Sequence, residues 1–332
     1  MIIFRLKIAF KKRGDRGLPS RAKISEKSSE NFWRKSRKYP NGEARLPPVK
    51  KETKMNQYPF IVDIDADEYH EAARRGEFLS SHLLGDFRAC PRLYKKKLLG
   101  EIEPVDTTAY QIGRALHTLI LEGRSKFDAE YLISSGPTNP KTGEAYGKTT
   151  KAYREWLAAQ KRPVVSSEDF GWMLKLQQSV ALHPVANTLL ERGRAEGTVR
   201  ITLDGEPCQI RMDWFNPSFE GKPVIVDLKT VADFPFFEKD ARKYGYPEQL
   251  AFYREVFKEA NAGVNASAQD VPDVYIIAIE KREPFRCGVW KLTDELLEQA
   301  AAANKMAMSL LKECRRRGEW PTGYEELRVM GV

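Results

Sequence analysis

The chain has 332 residues, of which 42% are hydrophobic, and a formal net charge of +9. This length is enough for one large domain or two modest ones with a sizeable core. No apolar run approaches the roughly 18 residues that a membrane span needs, so no membrane association is expected. The cysteines at positions 90, 208, 287 and 314 are far apart and form no C-x-x-C pair. Their spacing argues against a zinc ribbon or a disulfide scaffold and favours a cytoplasmic location.

The positive charge is concentrated in the first 54 residues. Residues 1–54 hold 17 Lys and Arg against 5 Asp and Glu, a net of +12, whereas residues 55–332 carry a net of −3. The segment lacks periodic apolar residues, which predicts a disordered basic tail. It could bind phosphates by counterion release, or be a solvated extension or sequence translated from too early a start, with Met55 as the alternative start. The folded domain is predicted to cover 60–332.

The first part of this domain is predicted to be helical. Apolar residues at helical spacing predict helices over 78–101, 106–123, 151–160 and 168–192. The first is expected to begin at Ser80 or Ser81, and the second to end at Gly123. The turn-rich segment 135–150 is predicted to be a loop. Its glycines are one residue too close for a Walker motif, which argues against nucleotide binding there.

An alternating pattern typical of strands follows. Residues 197–215 predict a hairpin that turns at Asp204-Gly205. Alternation in its second arm predicts one apolar face made of Cys208, Ile210, Met212 and Trp214. Further strands are predicted at 221–230, 273–282 and 285–293, and further helices at 245–260 and 293–317.

Three charged residues interrupt the apolar strands. Asp213 is predicted to end the second arm of the hairpin on its polar face, and Asp227 and Lys229 to end the next strand, GKPVIVDLKT. Residues i and i+2 of a strand point to one side, so Asp227 and Lys229 share a patch. If the strands are neighbours, two carboxylates could bind Mg²⁺, which would activate water, and Lys229 could stabilise a developing oxyanion. The alternative is a solvated strand end with an ion pair.

Short motifs in the same order resemble those of the PD-(D/E)XK nuclease superfamily, and within it RecE-type exonucleases (exodeoxyribonuclease VIII) and RecB-like nuclease domains. The matching stretches are SSHLLGDFRACPRLY, QIGRALHTLILEG, AEGTVR, RMDW, VDLKT, YGYPEQLAFY and EWP. They run from about residue 60 to about 325. The third acidic position is Asp227, where many members have Glu. The closely spaced cysteines of iron–sulfur relatives are missing, so no cluster is expected, and Cys90 is predicted to be a small core residue.

The resemblance implies an α/β fold of restriction-endonuclease type, with a mixed central sheet flanked by helices. It implies a Mg²⁺ cofactor, with Mn²⁺ as an alternative. The implied metal ligands are His117, Asp213, Asp227 and the backbone carbonyl oxygen of Leu228. The implied catalytic residues are Asp213, Asp227, Lys229, Glu196, Gln249 and Tyr253. The candidates for DNA contacts are Arg88, Arg92, Lys95, Lys148, Lys151, Arg211 and Tyr246, with Lys96 and Lys97 beside them.

These residues also have ordinary structural interpretations. A single histidine on an apolar helix, such as His117, is usually a satisfied core residue, and Glu196 could be a surface charge. Gln249 and Tyr253 share a helix face and could be packing residues. The basic residues would form a solvated face in most proteins.

The function that the resemblance implies is metal-dependent exonucleolytic hydrolysis of DNA from duplex ends, with 5′-to-3′ polarity, in phage or prophage recombination. Its implied partners are duplex DNA ends and a RecT-like annealing protein, and relatives suggest a homo-oligomeric ring. One alternative is a structure-specific or restriction-type endonuclease on the same fold. Another is a non-catalytic DNA-binding accessory protein.

Overall fold

A five-stranded sheet with helices on both faces organises the chain. The computed structural model describes residues 55, 57–103, 107–262, 264 and 271–330. The basic tail predicted for residues 1–54 lies outside the described residues, so its state stays a prediction.

The part of the chain before the sheet is mainly helical, as predicted. Its helices are α1 (Ala66–Arg74), α2 (Ser81–Ala89), α3 (Pro91–Leu98), α4 (Thr108–His117), α5 (Arg124–Glu130), α6 (Lys151–Ala158), α7 (Ser167–Leu182) and α8 (Pro184–Leu190). A π-helical turn, Thr118–Glu122, continues α4 as far as Gly123. Two short parallel strands, β1 (Leu132–Ile133) and β2 (Val164–Val165), form a separate sheet.

The main sheet has the strand order β3-β4-β5-β6-β7. Its strands are β3 (Arg194–Leu203), β4 (Glu206–Phe219), β5 (Lys222–Val231), β6 (Asp273–Glu280) and β7 (Cys287–Lys291). Strands β5 and β6 are parallel, and all other neighbours are antiparallel, so the sheet is mixed. The parallel pair is joined through a 3-10 turn, Phe234–Phe236, and the helices α9 (Phe237–Lys243) and α10 (Tyr246–Ala262); α11 (Asp294–Arg317) follows β7.

The two faces of the sheet support separate hydrophobic clusters. On β5, Ile225 packs in a cluster with residues of α2, α3, α9, α10 and α11, including Leu250 and Phe257. Its neighbour Val226 packs on the other face with residues of α4, α5, α7 and α8, including Leu176. This arrangement confirms the predicted α/β fold with flanking helices. In the described part of the chain, no helix is both long and apolar enough to cross a membrane.

Two predicted helices are each divided at a proline. The helix predicted over 78–101 ends at Ala89, because the chain is extended at Cys90 and Pro91 begins α3. The Sγ of Cys90 accepts a bond from the N–H of Leu93, so this half-buried residue caps a helix and is not the small core residue predicted. The helix predicted over 168–192 breaks in the same way before Pro184. Proline disfavours helical geometry in the preceding residue but suits the first helical position.

Candidate active site

The candidate site forms where pairing between β3 and β4 is interrupted. Gly197 pairs with Met212 and Ala195 with Trp214, but the intervening Glu196 has a left-handed backbone, with φ of +56°. Such a conformation is uncommon for a residue other than glycine and is typical of functional sites. β4 continues through Phe219, so the prediction that Asp213 ends its strand is wrong.

The interruption also changes which face of the sheet β4 presents. Cys208, Ile210 and Met212 pack in the cluster that contains Ile225, as the alternation predicted. Trp214 packs in the opposite cluster, so its predicted place on the same face is wrong. The strict alternation of a strand fails at a bulge-like irregularity, and here the failure coincides with Asp213.

Three side chains around this irregularity could hold a metal ion. His117 lies at the end of α4, where the π-helical turn begins, and its Nδ1 is 3.6 Å from Oδ2 of Asp213. One ligand atom from each of His117, Glu196 and Asp213 lies within 4.8 Å of the others. All three side chains are partly exposed, so the cluster is open to solvent. One imidazole nitrogen with two carboxylates is a donor set that fits a divalent cation.

Asp227 and Lys229 form a tight pair on β5, next to this cluster. The Asp227 side chain is only 1% exposed, and Nζ of Lys229 lies 2.9 Å from its Oδ1 and 2.8 Å from its Oδ2. On α10, Nε2 of Gln249 donates to Oδ1 of Asp227 and to the hydroxyl of Tyr253, both at 3.3 Å. Gln249 and Tyr253 are four residues apart on one helix face, so a single helix supports the buried carboxylate.

A backbone hydrogen bond joins the cluster to the pair. The N–H of Leu228 donates to Oδ2 of Asp213 at 2.8 Å. Trp214 pairs with Val226 in the antiparallel register, which brings Asp213 alongside Asp227. Leu228 contacts the cluster through its N–H group. The metal-binding role predicted for its carbonyl oxygen stays a prediction.

The electrostatics of the site favour an added positive charge. Burial raises the pKa of Asp227 to about 6, with Asp213 adding to the rise and Lys229 opposing it. Burial and Asp213 also raise the pKa of Glu196, against the opposite effect of Arg211. Burial opposes the charge of Lys229, but Asp227 and Asp213 outweigh it and raise its pKa. A cation among these carboxylates would stabilise their ionised forms.

Arg211 supports the site from within. Its Nε donates to Oε2 of Glu196 at 2.5 Å, and its Nη1 donates to the carbonyl oxygen of Ile64 at 2.8 Å. These contacts hold the Glu196 carboxylate at the interruption in the sheet. A contact between Arg211 and DNA, as predicted, would have to form in addition to them.

Three other predicted DNA contacts are already engaged with the C-terminal part of the fold. Arg88 donates to Oδ1 of Asn304 on α11. The Nε of Arg92 donates to the carbonyl oxygen of Trp320 at 3.1 Å, and Nζ of Lys95 lies 5.4 Å from the centre of the Trp320 ring. These cations therefore have a structural use, and their contact with phosphate stays a prediction.

The lysines predicted to contact DNA from the loop and α6 form only weak pairs at the surface. Nζ of Lys148 lies 4.0 Å from Asp169, and Nζ of Lys151 lies 3.6 Å from Glu155. Exposed pairs of this kind contribute little to stability, so both lysines can exchange partners.

Charged residues of the site act on two histidines that the sequence analysis did not single out. Desolvation by the surrounding protein, followed by the charge of Lys229, lowers the pKa of His82, although the residue is exposed to solvent. Desolvation and then Arg211 lower the pKa of His70, to which His82 also contributes. Of the four histidines of the chain, His117 lies beside Asp213, and His70 and His82 respond to charges of Arg211 and Lys229. The scarcity of histidine was the one signal in the sequence that could have pointed to them.

Comparison with known proteins agrees with this geometry. A sequence profile described as "PDDEXK-like domain of unknown function (DUF3799)" matches residues 80–330. The chain belongs to this PDDEXK-like family. This confirms the superfamily predicted from the sequence motifs and supports a nuclease.

Solved structures give a second comparison for this PDDEXK-like chain. A crystal structure from Eubacterium rectale, of a protein provisionally named an exonuclease, aligns with a TM-score of 0.56 at 17% identity. The alignment covers 82% of this chain and 96% of that protein, so the two share a fold. The structure of SSO0001 aligns over 72% of this chain and 81% of its own at 14% identity, with a TM-score of 0.29 that supports no conclusion. No curated protein matches the chain.

Proposed function

We propose that this chain is a divalent-metal-dependent deoxyribonuclease that hydrolyses phosphodiester bonds. The observation that carries the proposal is the hydrogen bond from the N–H of Leu228 to Asp213. It joins a cluster that fits a cation to a buried carboxylate–lysine pair, so the two can act on one phosphate. Membership of a PDDEXK-like family supports the same conclusion.

A few side chains together would bind the cation. His117, Glu196 and Asp213 would hold Mg²⁺ or Mn²⁺, with Asp227 beside them. The bound ion would supply a more acidic water and neutralise negative charge on the phosphoryl oxygens. Arg211 keeps the Glu196 carboxylate in place, since its Nε lies 2.5 Å from Oε2 of Glu196.

Lys229 acts as a hydrogen-bond donor. Burial lowers its pKa, but the neighbouring carboxylates outweigh this effect and raise it, which favours the protonated ammonium as a donor at neutral pH. One-fifth of its side chain is exposed, which lets it donate to an attacking water or to a phosphoryl oxygen. Gln249 and Tyr253 fix the carboxylate of Asp227 and so position the ammonium.

The narrower parts of the proposal rest on the motifs shared with RecE-type enzymes. They comprise exonucleolytic action at duplex ends, 5′-to-3′ polarity and a role in phage or prophage recombination. A RecT-like annealing partner, a homo-oligomeric ring and a cytoplasmic location complete the proposal.

Three forms of one plasmid test the activity and its type. The full-length protein is incubated with linear, nicked-circular and closed-circular duplex, with Mg²⁺ or with a chelator. An exonuclease degrades only the linear form, and only with the metal. Cutting of closed circles would show that the protein is an endonuclease and not an exonuclease. Binding without cutting, under every divalent metal tried, would contradict the nuclease and favour an accessory protein.

A further inference from the structure

A row of two aromatic rings and two lysines runs from the protein surface to the candidate active site. Tyr244 lies between α9 and α10 and is 61% exposed. Its ring centre lies 6.0 Å from that of Tyr246, with the ring planes inclined by 34°. Nζ of Lys243 lies 5.5 Å from the centre of the Tyr244 ring, and Nζ of Lys229 lies 4.9 Å from that of Tyr246.

The local sequence explains how the row reaches the site. Gly245 separates the two tyrosines and has φ of +71°, a left-handed conformation that glycine adopts without strain. Helix α10 begins at Tyr246, and Gln249 and Tyr253 follow three and seven residues later on the same helix face. The face that carries the half-buried Tyr246 is therefore the one that supports Asp227.

Packing of the core does not account for the outer ring. Tyr244 belongs to neither hydrophobic cluster of the described residues, and most of its surface faces solvent. A large exposed ring contributes little to stability, but its flat face can receive another ring at the 4.5–7 Å spacing of aromatic pairs.

The chemistry of the row fits a nucleic acid strand with unpaired bases. Aromatic side chains bind single strands because every base has a flat face that stacks, while nearby cations track the phosphates. Lys243 and Lys229 supply positive charge at the two ends of the row, and Lys229 is also the proposed donor to the reacting phosphate or water. A base inside a duplex has both faces covered by its neighbours, so only an unpaired or terminal base could use the outer ring.

We propose that Tyr244 and Tyr246 form a stacking platform for unpaired bases of the DNA strand being cut, next to the phosphate that reacts. The substrate class is then single-stranded DNA or duplex DNA with unpaired nucleotides at its end. The placement of the platform beside the reacting phosphate rests on the proposed nuclease function.

Binding without cleavage tests the platform directly. Single-stranded oligonucleotides carrying 2-aminopurine at successive positions are titrated with the full-length protein in chelator, and stacking is read from the quenched fluorescence. Tyr244→Ala should remove the quenching at one or two positions and weaken binding about 5- to 100-fold. Tyr244→Phe keeps the ring and should restore both. Unchanged affinity and quenching in Tyr244→Ala would overturn the platform.

Tyr324→Ala is the matched control. Tyr324 is 72% exposed and has the guanidinium of Arg328 4.1 Å from its ring centre, so it resembles Tyr244 in exposure and in its neighbouring cation. The substitution Tyr324→Ala should leave the 2-aminopurine fluorescence and the affinity for the oligonucleotide unchanged. Equal losses in Tyr324→Ala and Tyr244→Ala would show a general effect of exposed rings and overturn the assignment to Tyr244.

Cleavage in Mg²⁺ separates this inference from the function on which it rests. If the unaltered protein cuts, Tyr244→Ala should slow cutting of ends with several unpaired nucleotides more than it slows cutting of the same ends with abasic sites in those nucleotides. Equal slowing of both would overturn the platform. If the unaltered protein cuts nothing but still quenches 2-aminopurine through Tyr244, the nuclease is wrong and the stacking platform stands.

Discussion

Strand β5 and helix α3 both carry charged side chains, but the two regions use charge differently. On β5, the Asp227 side chain is 1% exposed and Lys229 lies 2.8 Å from it. On α3, Lys96 and Lys97 form exposed or half-exposed pairs with Glu101 and Asp86. A buried ion pair has a large desolvation cost, whereas an exposed pair costs little and contributes little. Charge inside an apolar strand therefore points to function, and charge along a helix surface does not.

The largest expected effect is on cleavage. Lys229→Met removes the donor beside the proposed metal cluster and should lower the cleavage rate by at least about 100-fold, as loss of one oxyanion donor does. Lys97→Met, the matched change on α3, should stay within about twofold because Lys97 pairs with Asp86 and not with the carboxylates of the cluster. Single-turnover rates on linear duplex compare the two. Similar losses of cleavage rate in both variants would show that the charges on β5 and α3 do not differ in function.

The second effect is on stability. In chelator, Lys229→Met leaves the buried carboxylate of Asp227 without its cation, which should lower the free energy of unfolding by about 2–3 kcal/mol. This is below the usual 3–5 kcal/mol for a broken buried pair because Lys229 is one-fifth exposed. Lys97→Met should change it by less than about 0.5 kcal/mol. Urea denaturation measures both, and an unchanged midpoint for Lys229→Met would show that the pair is not truly buried.

The third effect is on the pH dependence of metal affinity. The pKa of Asp227 is raised to about 6, so this carboxylate takes up a proton as the pH falls through 6, and the proton competes with the cation. The affinity for Mg²⁺ should therefore be nearly constant above pH 7 and fall by up to about tenfold for each pH unit below about 6, since one proton competes with the cation. Calorimetric titration from pH 5 to 8 measures it. An affinity for Mg²⁺ that does not change with pH would show that Asp227 does not contribute to metal binding.

The smallest expected effect concerns α3. Arg92→Ala removes the hydrogen bond to the carbonyl oxygen of Trp320 and should destabilise the protein by about 1 kcal/mol. We expect this contact to be the only role of Arg92, in place of the DNA contact predicted from the sequence, so the slope of log DNA affinity against log salt should not change. A slope reduced by about 0.9 would mean that Arg92 neutralises one phosphate, and that charge on this helix also serves DNA binding.

The sequence was informative where local geometry alone decides proximity. Asp227 and Lys229 could be paired because i and i+2 share a strand face, and Gln249 and Tyr253 because i and i+4 share a helix face. The strand pattern also predicted the hairpin turn at Asp204-Gly205, where both residues have positive φ.

Tertiary structure decides the rest. The left-handed backbone of Glu196 and the change of face before Trp214 depend on how β3 and β4 pair, and alternation along one strand cannot reveal this. The charges of Arg211 and Lys229 act on His70 and His82 only because of the tertiary fold, since more than 100 residues separate these histidines from both cations in the sequence. The breaks before Pro91 and Pro184 are different, since each proline is visible in the sequence and overrides the apolar periodicity that predicts one continuous helix.

The central claim is that the cluster of His117, Glu196 and Asp213 and the pair of Asp227 and Lys229 form one metal-dependent hydrolytic centre. Asp213→Asn tests it most directly, because Asp213 belongs to the cluster and also receives the N–H that ties it to β5. Mn²⁺ binding and cleavage of linear duplex are measured on the same preparation, with Asp128→Asn, at a half-exposed side chain of α5, as control. Asp213→Asn should lose both metal binding and cleavage while still unfolding cooperatively, and Asp128→Asn should keep both. Cleavage at an undiminished rate by Asp213→Asn would contradict the central claim.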